Sequence, residues 1–259
     1  MASFKHYLRN VLCAFPDAMI EGVKQAGWRG GYLVLCVYML RRLPFPVRLS
    51  PVITIRTLQE AGNYLDNFIQ GELRHPEVEL LLAQIGGHVL ELGVNVGITA
   101  RWWLSLGPAV SVTGIDMISE SLDYSRKRLA EAGLENRAGF ITGAVGSEPR
   151  EMEITFDDPL EGTNSLGAGS GSHRRWVKVD TVDQWLCRER RAVALLKIDI
   201  EGQGGEALLG AQQTLKRTRW VVVETHSQNE LETSARTLTA AGFLLSAFHG
   251  RTMWWRKAD

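Results

Sequence analysis

The chain has 259 residues, 45% of them hydrophobic and 22% charged, and its 29 Lys and Arg balance 29 Asp and Glu to a formal net charge of zero. That balance leaves no global field to draw nucleic acid, and the length suits one large α/β domain with an appended element. Cys13, Cys36 and Cys187 are odd in number, widely spaced and free of any Cys-x-x-Cys or Cys/His metal pattern, so a reduced, cytoplasmic setting is the expectation.

The charge is unevenly placed. Residues 1–50 carry Lys5, Arg9, Lys24, Arg29, Arg41, Arg42 and Arg48 against Asp17 and Glu21, a local excess of +5, so the remainder sums to −5. An acidic remainder suits a cationic ligand or chemistry that needs carboxylates. The apolar run "GYLVLCVYML" (31–40) is about half the ~20 residues that span a bilayer, and lies too far inside the chain for a signal peptide's apolar core. It reads as a buried helix, with peripheral membrane contact as the alternative that Arg41 and Arg42 leave open. Helices broken at Pro16, Gly30-Gly31 and the "LPFP" of Pro44 and Pro46 are expected here, then two more helical pieces around Gly71 and Pro76.

From His88 strands and helices alternate. "HVLELG" is a strand and "ITARWWLSLG" a helix closed by Gly107; "VSVTGID" is a second strand, and "SESLDYSRKRLAEAG" an amphipathic helix with Gly133 at its C-cap. "AGFITGAV" is a third strand, and "REMEITF" and "RWVKVD" show the period of exposed or edge strands. Between those two, "EGTNSLGAGSGSH" (161–173) is a linker or a lid. "VALLKIDI" is apolar enough for a central parallel strand, followed by a helix from "GEALLGAQQTLKRT", a buried strand "WVVVETH" and the helix "QNELETSARTLTAAG". "FLLSAF" and "TMWWRK", joined through "HGR", form a closing antiparallel hairpin. These elements predict an α/β fold: a doubly wound, seven-stranded, mainly parallel sheet over residues 85–259, with a helical N-terminal extension or cap over 1–84.

In such sheets ligands sit at the carboxyl ends of the strands, near the switch in strand order. The first turn is Glu91-Leu92-Gly93-Val94-Asn95-Val96-Gly97. It lacks the third glycine of a dinucleotide fingerprint, and Glu91 is unfavourable beside a pyrophosphate but suits a positively charged ligand. S-adenosylmethionine, with its sulfonium and amino group, is such a ligand. Asp116 lies 19 residues beyond Gly97, where a carboxylate can accept ribose hydroxyls of either cofactor type.

"LELGVNVG", "VKVDTVDQWL", "LLKIDIEG" with "EALLGAQQTL" after it, and "VVVETH" occur in that order. Over about residues 85–230 the chain thereby resembles the FkbM family of S-adenosylmethionine-dependent methyltransferases, which mostly methylate hydroxyls of polyketides, sugars and glycans; "TNSLG" (163–167) resembles the family's serine-containing stretch. The resemblance implies that Glu91, Gly93, Asn95 and Gly97 line the methionine end of the cofactor. By the same implication Asp116 holds the ribose, with Met117, Ala144 and Val145 around the adenine. The chain departs from the family where EGxE is common: Glu201-Gly202-Gln203-Gly204 has glycine in the last place. Glu206, two residues on, is expected to point elsewhere.

Asp199 and Glu201 are read at the end of the fourth core strand, and Glu224 and His226 at the end of the fifth. Residues two apart on a strand share a face, so four titratable groups can converge where the cofactor methyl would sit. Structural roles compete for two of them: Glu224 as partner of Lys197, and Glu201 as a helix cap. His226 is the candidate base that takes the acceptor's proton, with Asp199, Glu201 or Glu224 orienting it. A divalent metal on these donors is the less favoured alternative. His6, His75, His88, His173 and His249 are expected on the surface or in loops, and the Trp102-Trp103 and Trp254-Trp255 pairs in packing. The expected function is O-methylation of a hydroxyl on a natural product or glycan. A nicotinamide-dependent sugar dehydrogenase and a non-catalytic cofactor-binding module are the rivals, and the oligomeric state is left open.

Overall fold

The computed structural model describes residues 2–160 and 171–258, with the backbone alone over 2–13. The stretch 161–170, with "TNSLG" and most of the linker-or-lid segment, lies outside the described residues. The chain divides into two compact units, Met1–Arg74 and His75–Asp259, so the helix Pro76–Gln84 belongs with the second unit rather than with an extension running to residue 84. Its Pro76 takes the first helical position, where a missing N–H costs nothing, and Val78 and Leu82 are buried.

In the first unit the helical segment Ala2–Leu35 is interrupted at Ala26-Gly27, where Gly27 has φ +60, and continues as a π-helical stretch Cys36–Leu40 that ends at Arg41 (φ 50). Pro16 and Gly30-Gly31, expected as breaks, lie inside the segment. The glycines serve a close crossing instead: a Cβ on Gly30 would lie 1.9 Å from the Gly22 carbonyl oxygen. A second helical run, Leu58–Tyr64 and Leu65–Ile69, starts at a capping box in which Thr57 Oγ1 accepts from Glu60 N.

In the second unit the core strands are β1 (Gly87–Leu92), β2 (Val110–Asp116), β3 (Ala138–Thr142), β4 (Val193–Ile198), β5 (Thr218–Glu224), β6 (Phe243–His249) and β7 (Thr252–Lys257). Their order is β6-β7-β5-β4-β1-β2-β3, parallel from β5 to β3, with β7 antiparallel to both of its neighbours. This is the expected doubly wound, mainly parallel sheet. The chain winds outward from β1 to β3 on one side and from β4 to β5 on the other. The strand order therefore switches between β1 and β4, the place where such sheets open a cleft.

Leu90, Leu92, Leu196, Ile198, Val221 and Val223 alternate onto one buried face. Glu91 and Lys197 are register partners on the other face. Trp103, Trp220, Trp254 and Trp255 are buried, as packing residues should be. Two histidines depart from expectation, because each fills the interior. His75 packs on the rings of Trp220 and Trp254, and His88 bonds Ser111 Oγ at 2.9 Å while burial and Arg191 push its pKa down to about 4.

The run "AGFITGAV" divides between two sheets. After β3 the chain turns at Gly143, where a Cβ would meet the Trp185 ring at 2.3 Å. Ala144–Val145 then joins a three-stranded sheet with Arg150–Phe156 and His173–Asp180.

Candidate active site

The turn after β1 is a run of left-handed residues: Gly93 (φ 82), Asn95 (φ 48) and Gly97 (φ 67). Glycine is required twice. A Cβ on Gly93 would lie 1.8 Å from the Asp199 carbonyl oxygen, and one on Gly97 would lie 2.7 Å from Ser125 Oγ. Asp116, at the end of β2, braces the turn: its Oδ2 accepts from Val94 N at 2.9 Å and Asn95 N at 2.8 Å, and its Oδ1 from Ile118 N at 2.9 Å. A carboxylate has about four acceptor directions, so roughly one remains for a ligand. Burial raises its pKa against those three bonds.

Beneath the turn Glu91 is fully buried and accepts from Thr99 Oγ1, while its Oε2 has no hydrogen-bond partner. Burial pushes its pKa up to about 7, against the pull of Lys197. Lys197 Nζ donates to the Gly93 carbonyl at 2.7 Å and lies 3.2 Å from Asp199 Oδ2 and 3.8 Å from Glu91 Oε1. The Asp199 and Glu91 charges raise its pKa in spite of burial. The buried lysine thus joins the glycine turn to the end of β4. Asp199 and Glu91 are its near partners, and the Glu224 charge considered from sequence also acts on it.

The second group lies one strand further on. β4 ends at Ile198, so Asp199 and Glu201 stand in the turn beyond it, and Glu201 (φ 47) is swung round by a left-handed backbone rather than by strand alternation. His226 Nε2 lies 3.4 Å from Glu201 Oε2 and 3.5 Å from Glu224 Oε1, and Arg251 donates to Glu224 Oε1 at 2.9 Å. The four expected residues do converge. Their side chains keep some exposure, 29% for Asp199, 27% for Glu201, 15% for His226 and 14% for Glu224. One donor atom each from Asp199, Glu224 and His226 lie within 4.8 Å of one another, a spacing that fits a divalent cation.

Glu230 completes the group and was not anticipated. Its Oε2 accepts from His226 N at 2.6 Å and lies 3.8 Å from His226 Nδ1, an ion-pair distance rather than a hydrogen bond, while its Oε1 accepts from Gly204 N at 2.7 Å. Glu230, followed by the charges of Glu201, Glu224 and Asp199, holds the His226 pKa above its ordinary value against burial. Glu201 is raised, chiefly by burial. Glu230 stays below the usual range although buried, through His226 and the two backbone donors. The helix Gly204–Leu209 therefore takes its N-terminal bond from Glu230, and Glu201 does not cap it. A Cβ on Gly204 would lie 2.8 Å from Glu230 Oε1, so a side chain there and this carboxylate compete for one space. Glu206 is turned away and accepts from Ser147. The signal for Glu230 was present as Ser227-Gln-Asn-Glu230, a capping-box pattern in which Ser227 Oγ accepts from Glu230 N.

Of the residues assigned to the adenine, Met117 packs partly buried against the cluster of Ile118 and Ala144, and Val145 sits in the main core. The Ala144 carbonyl accepts from Trp185 Nε1 at 2.8 Å.

A model described as the methyltransferase FkbM domain matches residues 91–250, more than half of the chain. The chain belongs to the FkbM methyltransferase family. Its second unit is thus an S-adenosylmethionine-dependent methyltransferase domain, and the dehydrogenase reading falls away. The chain is 27% identical over 110 residues to the O-methyltransferase imqG of Aspergillus flavus, a match covering 42% of this chain and 44% of that protein. It is 25% identical over 195 residues to the 2-O-methyltransferase NoeI of Sinorhizobium fredii, covering 67% of this chain and 77% of that one. It is also similar to the solved O-methyltransferase from Bacillus cereus in complex with SAH, at 17% identity and a TM-score of 0.44 over 73% of this chain and 80% of that one.

Proposed function

We propose that the FkbM domain transfers the methyl group of S-adenosylmethionine to a hydroxyl of a natural product of the polyketide or macrolide type, or of a sugar or glycan. The observation that carries this reading is the adjacency, along one carboxyl edge, of a carboxylate-lined glycine turn and an imidazole ringed by acids. Glu91, Gly93, Asn95 and Gly97 would hold the methionine end. Asp116 would offer its remaining acceptor direction to the ribose, with Met117, Ala144 and Val145 near the adenine. The unpartnered Oε2 of Glu91 supports a cationic group at that end.

The carbon attacked is already activated by the positive sulfur, so positioning supplies much of the rate. An alcohol is a weak nucleophile while it holds its proton. His226 would take that proton on Nε2, and Glu201 and Glu224, at 3.4 and 3.5 Å, would stabilise the imidazolium that forms. Incubation with labelled S-adenosylmethionine and a panel of hydroxylated macrolides and sugars tests the reading. No transfer to any of them, despite S-adenosylhomocysteine binding in calorimetry, would favour a non-catalytic cofactor-binding module.

One observation favours a second route to the same product. The spacing of Asp199, Glu224 and His226 fits a divalent cation, which would lower the pKa of a bound hydroxyl. Under that reading a chelator abolishes turnover and added metal restores it; under the histidine-base reading turnover is unchanged.

A further inference from the structure

The first unit carries several exposed apolar side chains. Trp28, Leu35 and Met39 are exposed on one continuous helical segment, at spacings of seven and four residues that place them on one face. Trp28 is 73% exposed, Met39 53%, and Phe45, just past the segment's end, 72%. Before the turn at Ala26-Gly27, Ile20 and Val23 add two more exposed apolar side chains three residues apart. Exposed cations frame this surface: Arg29 and Lys24 beside the turn, Lys24 lying 3.4 Å from Glu21 Oε2, and Arg41 and Arg42 past Met39. The Arg29 guanidinium lies 5.5 Å from the Trp28 ring centroid. Among the described residues no helix is long and apolar enough to cross a membrane.

We propose that this surface, within residues 20–45, binds the face of an anionic lipid bilayer. Trp28 would seat at the headgroup level, where amphipathic aromatic rings are favoured, Met39 and Phe45 would enter the apolar boundary beneath it, and the arginines would meet lipid phosphates. Charge complementarity decides the occupant. Within residues 20–45 Lys24, Arg29, Arg41 and Arg42 stand against Glu21 alone, an excess of +3, and each cation near an anionic surface adds to its attraction. A second copy seated symmetrically on the same face would set these cations against their own kind. Apolar area and positive charge together match a bilayer better than either would alone.

Flotation of the full chain with two kinds of vesicle tests this. One kind is phosphatidylcholine; in the other, phosphatidylglycerol replaces roughly a quarter of it, enough for a negative surface potential. The chain should float with the anionic vesicles at low salt and dissociate as salt shortens the screening length. Arg29→Gln with Arg42→Gln should weaken binding about 25-fold, two cations at about a factor of five each. Trp28→Ser should weaken it about tenfold, while Trp176→Ser, an equally open tryptophan of the second unit (67% exposed), should change nothing. All these side chains are exposed, so unchanged thermal unfolding is expected and separates lost binding from lost fold. A chain that stays in solution with anionic vesicles at low salt overturns the proposal. Equal losses in the two tryptophan variants would also overturn it, and so would a dimer dissociated by Trp28→Ser with no vesicle bound.

Discussion

At β1 and β2 the polar groups are buried and mostly already bonded. Glu91 sits under Thr99 and beside Lys197, Asp116 takes three backbone donors, and the glycine turn is fixed by contacts that leave no room for a Cβ. Past the ends of β4 and β5, Asp199, Glu201, Glu224 and His226 stay partly open, His226 facing Glu201 and Glu224 at 3.4 and 3.5 Å with the buried Glu230 at 3.8 Å. The first arrangement suits a ligand that arrives in one shape and must be oriented, because preorganised groups need no rearrangement as it binds. The second suits chemistry in which a proton changes hands, because a base surrounded by acids changes charge without leaving an isolated ion. Lys197 links the two, touching the glycine turn on one side and Asp199 on the other.

The largest expected effect comes from breaking the rigid end. Gly93→Ala adds a Cβ that meets the Asp199 carbonyl, a backbone atom that cannot swing aside, at a residue with φ 82. Thermal unfolding should register a loss of roughly 3 kcal/mol or more, or the protein should fail to accumulate. Gly202→Ala is the matched control. It has a similar φ of 89 with nothing within 4 Å, so only backbone strain of about 1 kcal/mol is expected. Equal losses in the two variants would mean that conformation, and not the close approach to β4, demands glycine at residue 93.

Next comes the open end. His226→Ala should lower turnover about 10²- to 10⁴-fold, the usual worth of a general base, and leave S-adenosylhomocysteine affinity nearly unchanged. Wild-type turnover in this variant removes His226 from the chemistry. Asp116→Ala should do the converse. Losing a charged acceptor costs roughly 1.5–3 kcal/mol, about one to two decades of S-adenosylhomocysteine affinity. Because Asp116 also braces Val94 and Asn95, some thermal stability should go with it. If stability falls and affinity does not, its role is bracing alone.

The sheet was legible because its signals are local: apolar runs of strand length, glycine at helix ends, and a hairpin closed by "HGR". The four motifs also pointed to the residues that converge at the carboxyl edge. What was not legible depends on distant contacts. Gly30-Gly31 looks like a helix break until Gly22 is seen against it, and His75 looks like a loop residue until Trp220 and Trp254 enclose it. The convergence of Asp199 and Glu201 was anticipated for the wrong reason, since β4 stops at Ile198 and a left-handed turn delivers Glu201. Glu230 was missed because it sits four residues past His226 on a helix whose surface looked ordinary. Only the fold shows that its carboxylate ties His226 N to Gly204 N.

The smallest expected effect is a shift in a pH profile. Glu230, with Glu201, Glu224 and Asp199, raises the His226 pKa above its ordinary 6.5. A histidine that accepts a proton must first be neutral. The rate should therefore rise with pH through a midpoint above 6.5 and fall below it. Stability runs the other way. The favourable ion pairs of His226 are fully present below 6.5 and lost as pH climbs through the raised folded-state value. Glu230→Gln keeps the size of the side chain and an oxygen for one backbone donor, but removes the carboxylate that does most to raise the His226 pKa. The midpoint should move toward acid, changing the rate near neutral pH by less than about tenfold, since a shift of one unit moves the limb one decade at most. The direction is what discriminates. A purely structural Glu230 would lower turnover at every pH and leave the midpoint in place. A His226 bound to a metal would lose the limb with the chelator, whatever residue 230 is.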